Sequence, residues 1–351
     1  MKKYFLYEIK KSLPAAGYLT LSMTAWYLIL ILLFSITRLE DIFYNLVPLM
    51  FFAGAVAVLS PIKIFTYRTK KRSVDLYYSL PLSHRKILTV KFLTGLAVLY
   101  ASYTVAFFIG MAASAIKTPE LNAVYYIPLY FASLIPLYIL YSVSAFAFTR
   151  AYKKTDGILF IVFWFAVIPV VLEVIDRIFY VYGVQPNYLL NCVINAQAYS
   201  PTYPLSFVTE YFGGLISNSF DKIWWYEFTP ANHAVVTANI IAGLTLNALL
   251  SIGATAGLFL LEKHTKAENA GQISDSLFGY KTMIPIYTVC CLSLCISGST
   301  ALNVVAVVMT ILISTAITVI YKRTVKIGWK QAVAIAAPIV AGIALGALFT
   351  L

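Results

Sequence analysis

"SVDLYYSLPLSHRKILTVKFLTGLAVLYASYTVAFFIGMAASAI", Ser73–Ile116, joins two kinds of sequence. Its second half, Phe92–Ile116, carries no charge at all. A run of about 20 such residues crosses the ~30 Å hydrocarbon layer as a helix. Its first half is mixed. Ser73 is a good N-cap, and Pro81 bars a helix from continuing past Leu80. That predicts about two turns, Val74–Leu80, with Leu76, Tyr77, Tyr78 and Leu80 as apolar groups. Ser83 then caps a second helix running into the span, with His84, Arg85 and Lys86 in its first turn. Cations there oppose the helix dipole, a cost that an anionic neighbour would relieve. Lipid phosphates or acidic groups on a partner would serve.

The pattern repeats along the chain. Ala15–Thr37, Phe43–Ile62, Ala123–Thr149, Ala234–Leu261 and Gln331–Leu351 are further uncharged runs of spanning length. A seventh run starts at Ile158 and meets Glu173. Thr282–Tyr321 is too long for one crossing, and Ser297–Thr300 can turn the chain near its middle. Nine spans result, all helical, because backbone groups in lipid must be satisfied internally. Hydrophobic residues make up 61% of 351 and charged residues 11%, against about 25% charged in soluble domains. The first run is too long for a removable signal peptide.

Charge sets the orientation. With the N-terminus in the cytosol, 22 of the 26 lysines and arginines fall in cytosolic segments, the positive-inside pattern. Segment 63–91 is the richest of these. Arg38, Lys117, Arg177 and Lys222 lie outside, and the C-terminus is expected outside too. The net charge of +12 is accounted for by insertion and by contact with anionic lipid, so it implies no nucleic acid. Cys290, Cys291 and Cys295 lie within a span and Cys192 stands alone outside, so no disulfide between exposed cysteines is implied.

The expected organisation is an interfacial amphipathic helix over 1–13, with Phe5, Ile9 and Leu13 every four residues, then a six-span core over 14–261. A cytosolic loop covers 262–281 and three more spans cover 282–351. The external segment 183–233 is rich in Tyr, Trp, Asn and Pro and is expected to hold short external or re-entrant helices. Gly253-x-x-x-Gly257 and Gly342-x-x-x-Gly346 let helices approach closely, within the chain or at a dimer seam.

Familiar catalytic signatures are missing from this sequence. The histidines His84, His233 and His264 lack metal-ligand spacing, and no Gly-x-Ser-x-Gly elbow occurs. No glycine is followed by lysine, so a phosphate-binding Walker loop is absent and no cofactor is expected on this chain. Glu173, Asp176 and Arg177 sit near the outer end of the fifth span. They read either as an ion relay or as a Glu173–Arg177 pair at helical i,i+4 spacing. Tyr130, Phe131 and Tyr138 load the fourth span with aromatic surface, either a cargo wall or packing.

"DLYYSLPLSHRKILTVKFLTGL", Asp75–Leu96, resembles the signature of ABC-2-type transporter permeases. In that family an acidic residue, Ser-Leu-Pro and a Ser-basic stretch lead into a span. "LFLLEKHTKAENAGQ", Leu258–Gln272, is similar to a second family feature, a basic stretch followed by Glu-x-Ala-Gly, here Glu268–Gly271. The resemblance covers about 1–275. The last three spans look like additions found in some Gram-positive members. It implies an all-α, type II exporter-like membrane domain with an N-terminal elbow helix in the cell membrane. It also implies two copies of a separate ATPase that bind ATP and magnesium, and a second permease, expected as a homodimer. Val74–Leu80 would be the coupling helix, with Asp75, Leu76, Tyr77, Tyr78, Leu80 and Pro81 as contacts and Arg85 and Lys86 as supporting charges. The cargo expected is an amphipathic peptide or hydrophobic compound. An ion-coupled secondary transporter using Glu173 and Asp176, or a non-transporting scaffold, stays open.

Overall fold

A computed structural model describes residues 2–33, 40–117, 123–181, 199–216, 233–264, 267–274, 276–296, 300–322 and 328–348. Among these, the chain is helical with no strand. Helices α1 (Lys2–Leu33), α2 (Glu40–Phe65), α3 (Lys71–Tyr78), α4 (His84–Lys117) and α5 (Tyr126–Thr149) come first. They are followed by α6 (Lys154–Val181), α7 (Tyr203–Ile216) and α8 (His233–Leu260). Helices α9 (Tyr280–Cys295), α10 (Thr300–Lys322) and α11 (Trp329–Leu348) complete the chain.

Among the described residues, six helices are long and apolar enough to cross a membrane: α1, α2, α4, α5, α6 and α8. Tyr280–Cys295, Asn303–Val319 and Ala332–Leu348 are shorter apolar segments. The long eighth run does break in two. Helix α9 ends at Cys295 and α10 begins at Thr300, the last residue of the Ser-Gly-Ser-Thr stretch; residues 297–299 lie outside the described residues.

The first helix differs from expectation. The sequence predicts an interfacial helix over 1–13 followed by a separate span, but α1 is one helix of 32 residues with Pro14 inside it. A proline removes a single backbone donor, and here the helix continues past it. At 1.5 Å per residue α1 is about 48 Å long, so it outreaches the hydrocarbon layer. The face of its first turns that packs inward carries Glu8, which is buried; Leu6, Tyr7 and Leu13 are exposed.

Helix α5 is the centre of the bundle. Every residue from Ile139 to Ala151 is buried, so no face of its inner half meets solvent or lipid. It contacts α2, α4, α6, α7 and α8, while α1 lies along α4. Tyrosines fasten these contacts: Tyr141 donates its hydroxyl hydrogen to the Phe92 carbonyl at 2.9 Å, and Tyr100 to that of Leu134 at 2.9 Å. The last three helices pack on one another and join the core through α6. A methyl at Gly342 would stand 2.8 Å from Leu292 Cβ, and one at Gly346 2.7 Å from Ile296 Cβ. This small-residue motif therefore packs within the chain, α11 on α9. At Gly253, by contrast, the face is open.

Helix α7 falls within the expected external segment. Its 14 residues span about 21 Å, too short to cross. The neighbouring residues 182–198 and 217–232, including Cys192 and the Trp224–Tyr226 cluster, lie outside the described residues.

Candidate coupling site at the basic end of the bundle

Helix α3 hangs between two spans at the end where the basic residues gather. A short 3-10 turn, Thr66–Thr69, closes α2 and buries Tyr67, Arg68 and Thr69. Lys70 is extended, and α3 begins at Lys71 with no side-chain cap. This corrects the expected boundaries. Ser73 is not the N-cap but lies in the first turn, its N–H donating to the Lys70 carbonyl at 3.0 Å. The burial of the 3-10 turn sets the start, a tertiary cause that the cap residue does not reveal. The end comes at Tyr78 rather than Leu80, because a residue before proline is pushed out of the helical region. Ser79 closes the turn, donating its N–H to the Asp75 carbonyl at 3.0 Å and its hydroxyl to that of Leu76 at 2.9 Å. The Ser83 carbonyl accepts from the Lys86 and Ile87 N–H groups, which places Ser83 at the N-cap position of α4.

The expected coupling residues divide between two faces. Asp75, Leu76, Pro81, Arg85 and Lys86 are exposed, Leu76 by 66%. Val74 is buried, and Tyr77 and Leu80 pack on the core. The side chain of Tyr78 lies outside the described residues.

Tyr77 is held by a polar cluster that the sequence did not announce. Its hydroxyl accepts from Lys91 Nζ at 3.1 Å and from Lys11 Nζ at 3.3 Å. Its ring lies 4.7 Å from that of Tyr67, and Lys91 Nζ sits 4.6 Å from its centroid. Lys91 Nζ also donates to Glu8 Oε2 at 2.6 Å. Four elements thus meet around one ammonium: α1 through Glu8 and Lys11, the 3-10 turn through Tyr67, α3 through Tyr77, and α4 through Lys91. A cation over two rings and beside a carboxylate is well compensated for its burial.

A second cluster ties this end to the 262–281 segment. Arg68 Nη1 pairs with Glu262 Oε2 at 2.8 Å, both side chains buried. Arg150 lies beside them, 6% exposed, with Nη1 donating to the Leu261 carbonyl at 3.4 Å and its guanidinium 5.6 Å from the Phe146 ring centroid. Burial, with the Arg68 charge nearby, pushes Arg150 down to about 10.

Asp156, in the first turn of α6, is the residue that sequence reasoning missed. Its carboxylate accepts from the Ser274 N–H at 3.0 Å, the Ser274 hydroxyl at 2.8 Å and the Tyr280 hydroxyl at 3.0 Å. Its signal was a lone carboxylate among Arg150, Lys153 and Lys154 in a short link.

The two sequence features that resembled family signatures come together here. The 3-10 turn Ala267–Asn269, which overlaps Glu268–Gly271, touches α3. Gly271 has φ +79, which favours glycine, and its N–H donates to the Tyr152 carbonyl at 2.8 Å.

The other expected positions lie away from this end. Tyr130 shares a hydrogen bond with Thr104 at 2.7 Å and stacks on Tyr103; Tyr138 bonds Thr255 at 2.9 Å and meets the Phe92 ring edge-on. Both serve helix packing, whereas Phe131 is 63% exposed. Arg177 Nε stands 3.9 Å from Glu173 Oε1, one turn away, and its Nη1 donates to the Leu294 carbonyl at 3.2 Å. The side chain of Asp176 lies outside the described residues. Among the described residues no cluster of His, Cys, Asp or Glu could hold a metal ion.

Many apolar helices, a basic end, and a short helix set outside them on buried polar anchors define a multi-pass membrane transport subunit. The chain belongs to the ABC-2 family: the family model described as "ABC-2 family transporter protein" matches residues 21–273, and the chain is a membrane permease subunit of that class. The match ends before α9, so α9–α11 lie beyond it. No curated protein and no solved structure matches the chain.

Proposed function

We propose that α3 is the coupling helix through which a separate ATP-binding cassette ATPase drives this permease to export an amphipathic peptide or hydrophobic compound. One observation carries the reading: α3 turns Asp75 and Leu76 outward while Tyr77, its neighbour in sequence, is anchored inward to α1 and α4. An exposed leucine beside a carboxylate suits docking into a groove on a partner. The inward anchor suits force transmission, since displacing α3 must move Tyr77 and with it Lys91 and Glu8.

In this reading the basic end is cytosolic, the N-terminus with it, and the C-terminus is outside. Two ATPase subunits bind ATP and magnesium, and two permeases, expected to be identical, enclose the path. The contact set narrows from that expected on sequence. Asp75 and Leu76 meet the ATPase, Arg85 and Lys86 support it, and Tyr77 and Leu80 position the helix. The alternative ion relay is weakened by Glu173, which already pairs with Arg177. The test is co-purification from native membranes in mild detergent, followed by mass spectrometry. A Walker-motif ATPase should accompany the wild type and be depleted for Asp75→Ala/Leu76→Ala. Retention of the ATPase by that variant would remove α3 from the interface.

A further inference from the structure

A cavity of about 600 Å³ lies between α2, α5, α6 and α7, within the size range of ligand sites. Its walls differ in character. Helix α2 supplies an apolar wall that includes Met50, Phe51 and Val58, and Leu140 and Phe165 extend it from α5 and α6. Facing them, Thr202 just before α7 and Ser206 and Glu210 within it recur every four residues and so form one polar stripe. Among the described lining residues, Glu210 is the one ionisable side chain. It is half-buried, and burial pushes its carboxyl above the ordinary carboxylate value.

A partly buried acid that meets no cation among the described residues, on the polar side of an otherwise apolar slot, is a cost unless something complementary fills it. We infer that this cavity binds a lipophilic cation, its positive centre against Glu210 and its apolar groups against α2. An anion would meet like charge there. A neutral apolar molecule would leave the carboxylate desolvated and unpaired. The 77% exposure of Phe51 leaves the α2 side open for entry. The site is defined by binding to this chain alone, so it stands or falls separately from the ATPase reading.

The test uses the full chain in nanodiscs of zwitterionic lipid, without any ATPase, and two probes of matched shape and opposite charge. Saturable binding of radiolabelled tetraphenylphosphonium and of radiolabelled tetraphenylborate is measured in separate samples, with empty nanodiscs subtracted. The cation should bind saturably and the anion should not. Glu210→Gln should weaken cation binding by about tenfold or more, the order expected when a partly desolvated charge pair loses a member. Ser206→Phe, which fills the slot from an exposed position, should also weaken it. Equal binding of the two probes, no saturable cation binding, or unchanged binding by folded Glu210→Gln overturns the proposal. The two-probe comparison on wild type decides alone if a variant does not fold.

Discussion

The ammonium of Lys91 lies 2.6 Å from a carboxylate oxygen of Glu8, 83 residues away, and both side chains are less than a tenth exposed. The pair fastens the first helix to the fourth at the point where α3 is anchored. Removing one member leaves the other charge buried alone. Lys91→Met or Glu8→Gln should therefore cost about 3–5 kcal/mol, read as a lower midpoint of thermal unfolding in detergent. The double change Glu8→Leu/Lys91→Met should recover much of that loss, because no lone charge remains. A double variant as unstable as the sum of the singles would contradict this.

Tyr77 and Leu76 should respond differently although they adjoin. Tyr77→Phe keeps the ring contacts with Lys91 and Tyr67 and loses only the acceptor for two ammonium groups. It should cost on the order of 1–3 kcal/mol of stability. Leu76→Ala, at an exposed position, should change stability by within about 0.5 kcal/mol. Its effect should appear instead as lost partner association and lost transport, measured in vesicles with the ATPase present.

Asp156→Ala should loosen the 262–281 segment, since Ser274 and Tyr280 lose their shared acceptor. A stability cost on the order of 2–4 kcal/mol is expected. The direct readout is limited proteolysis: cleavage within 262–281 should be faster than in wild type, with the α1–α6 region still protected. Unchanged cleavage would mean that the loop is held by other contacts.

Gly346→Leu should separate α11 from α9, because even a Cβ would stand 2.7 Å from that of Ile296. Overpacking of this kind costs about 1–3 kcal/mol. The readout is the midpoint of thermal unfolding in detergent, which should fall below that of wild type; an unchanged midpoint would contradict a tight α9–α11 seam. Gly253→Ala, which meets nothing within 4 Å, should be neutral for folding.

Much of the architecture was readable from hydropathy and charge, and the reasons are local. Uncharged runs find the spans, Ser297–Thr300 marks the break between α9 and α10, and Pro81 marks the exit from α3 within two residues. Two boundaries were misread for opposite reasons. The helix over 1–13 was expected to be separate from the first span, but α1 runs through Pro14 as one helix. Ser73 looked like a cap but is bypassed, because the buried turn Thr66–Thr69 starts α3 earlier. The site itself was less legible. Tyr77 was expected as a partner contact, and only the tertiary fold turns it toward Lys91. The partners of Glu8, Arg68 and Asp156 lie 83 or more residues away in sequence, and no periodicity reports such pairings. Glu210 was hidden in a segment read only for its aromatic and polar composition.

The central claim is that the outward face of α3 docks a separate ATPase. It is tested most directly by a photo-crosslinking amino acid placed at Leu76 in native membranes, with the same group at Phe131 as an exposed control far from α3. The account predicts one dominant adduct from position 76, identified by mass spectrometry as a Walker-motif ATPase, and none of that adduct from position 131. Position 76 crosslinking only to lipid, or the ATPase appearing equally from both positions, would contradict it.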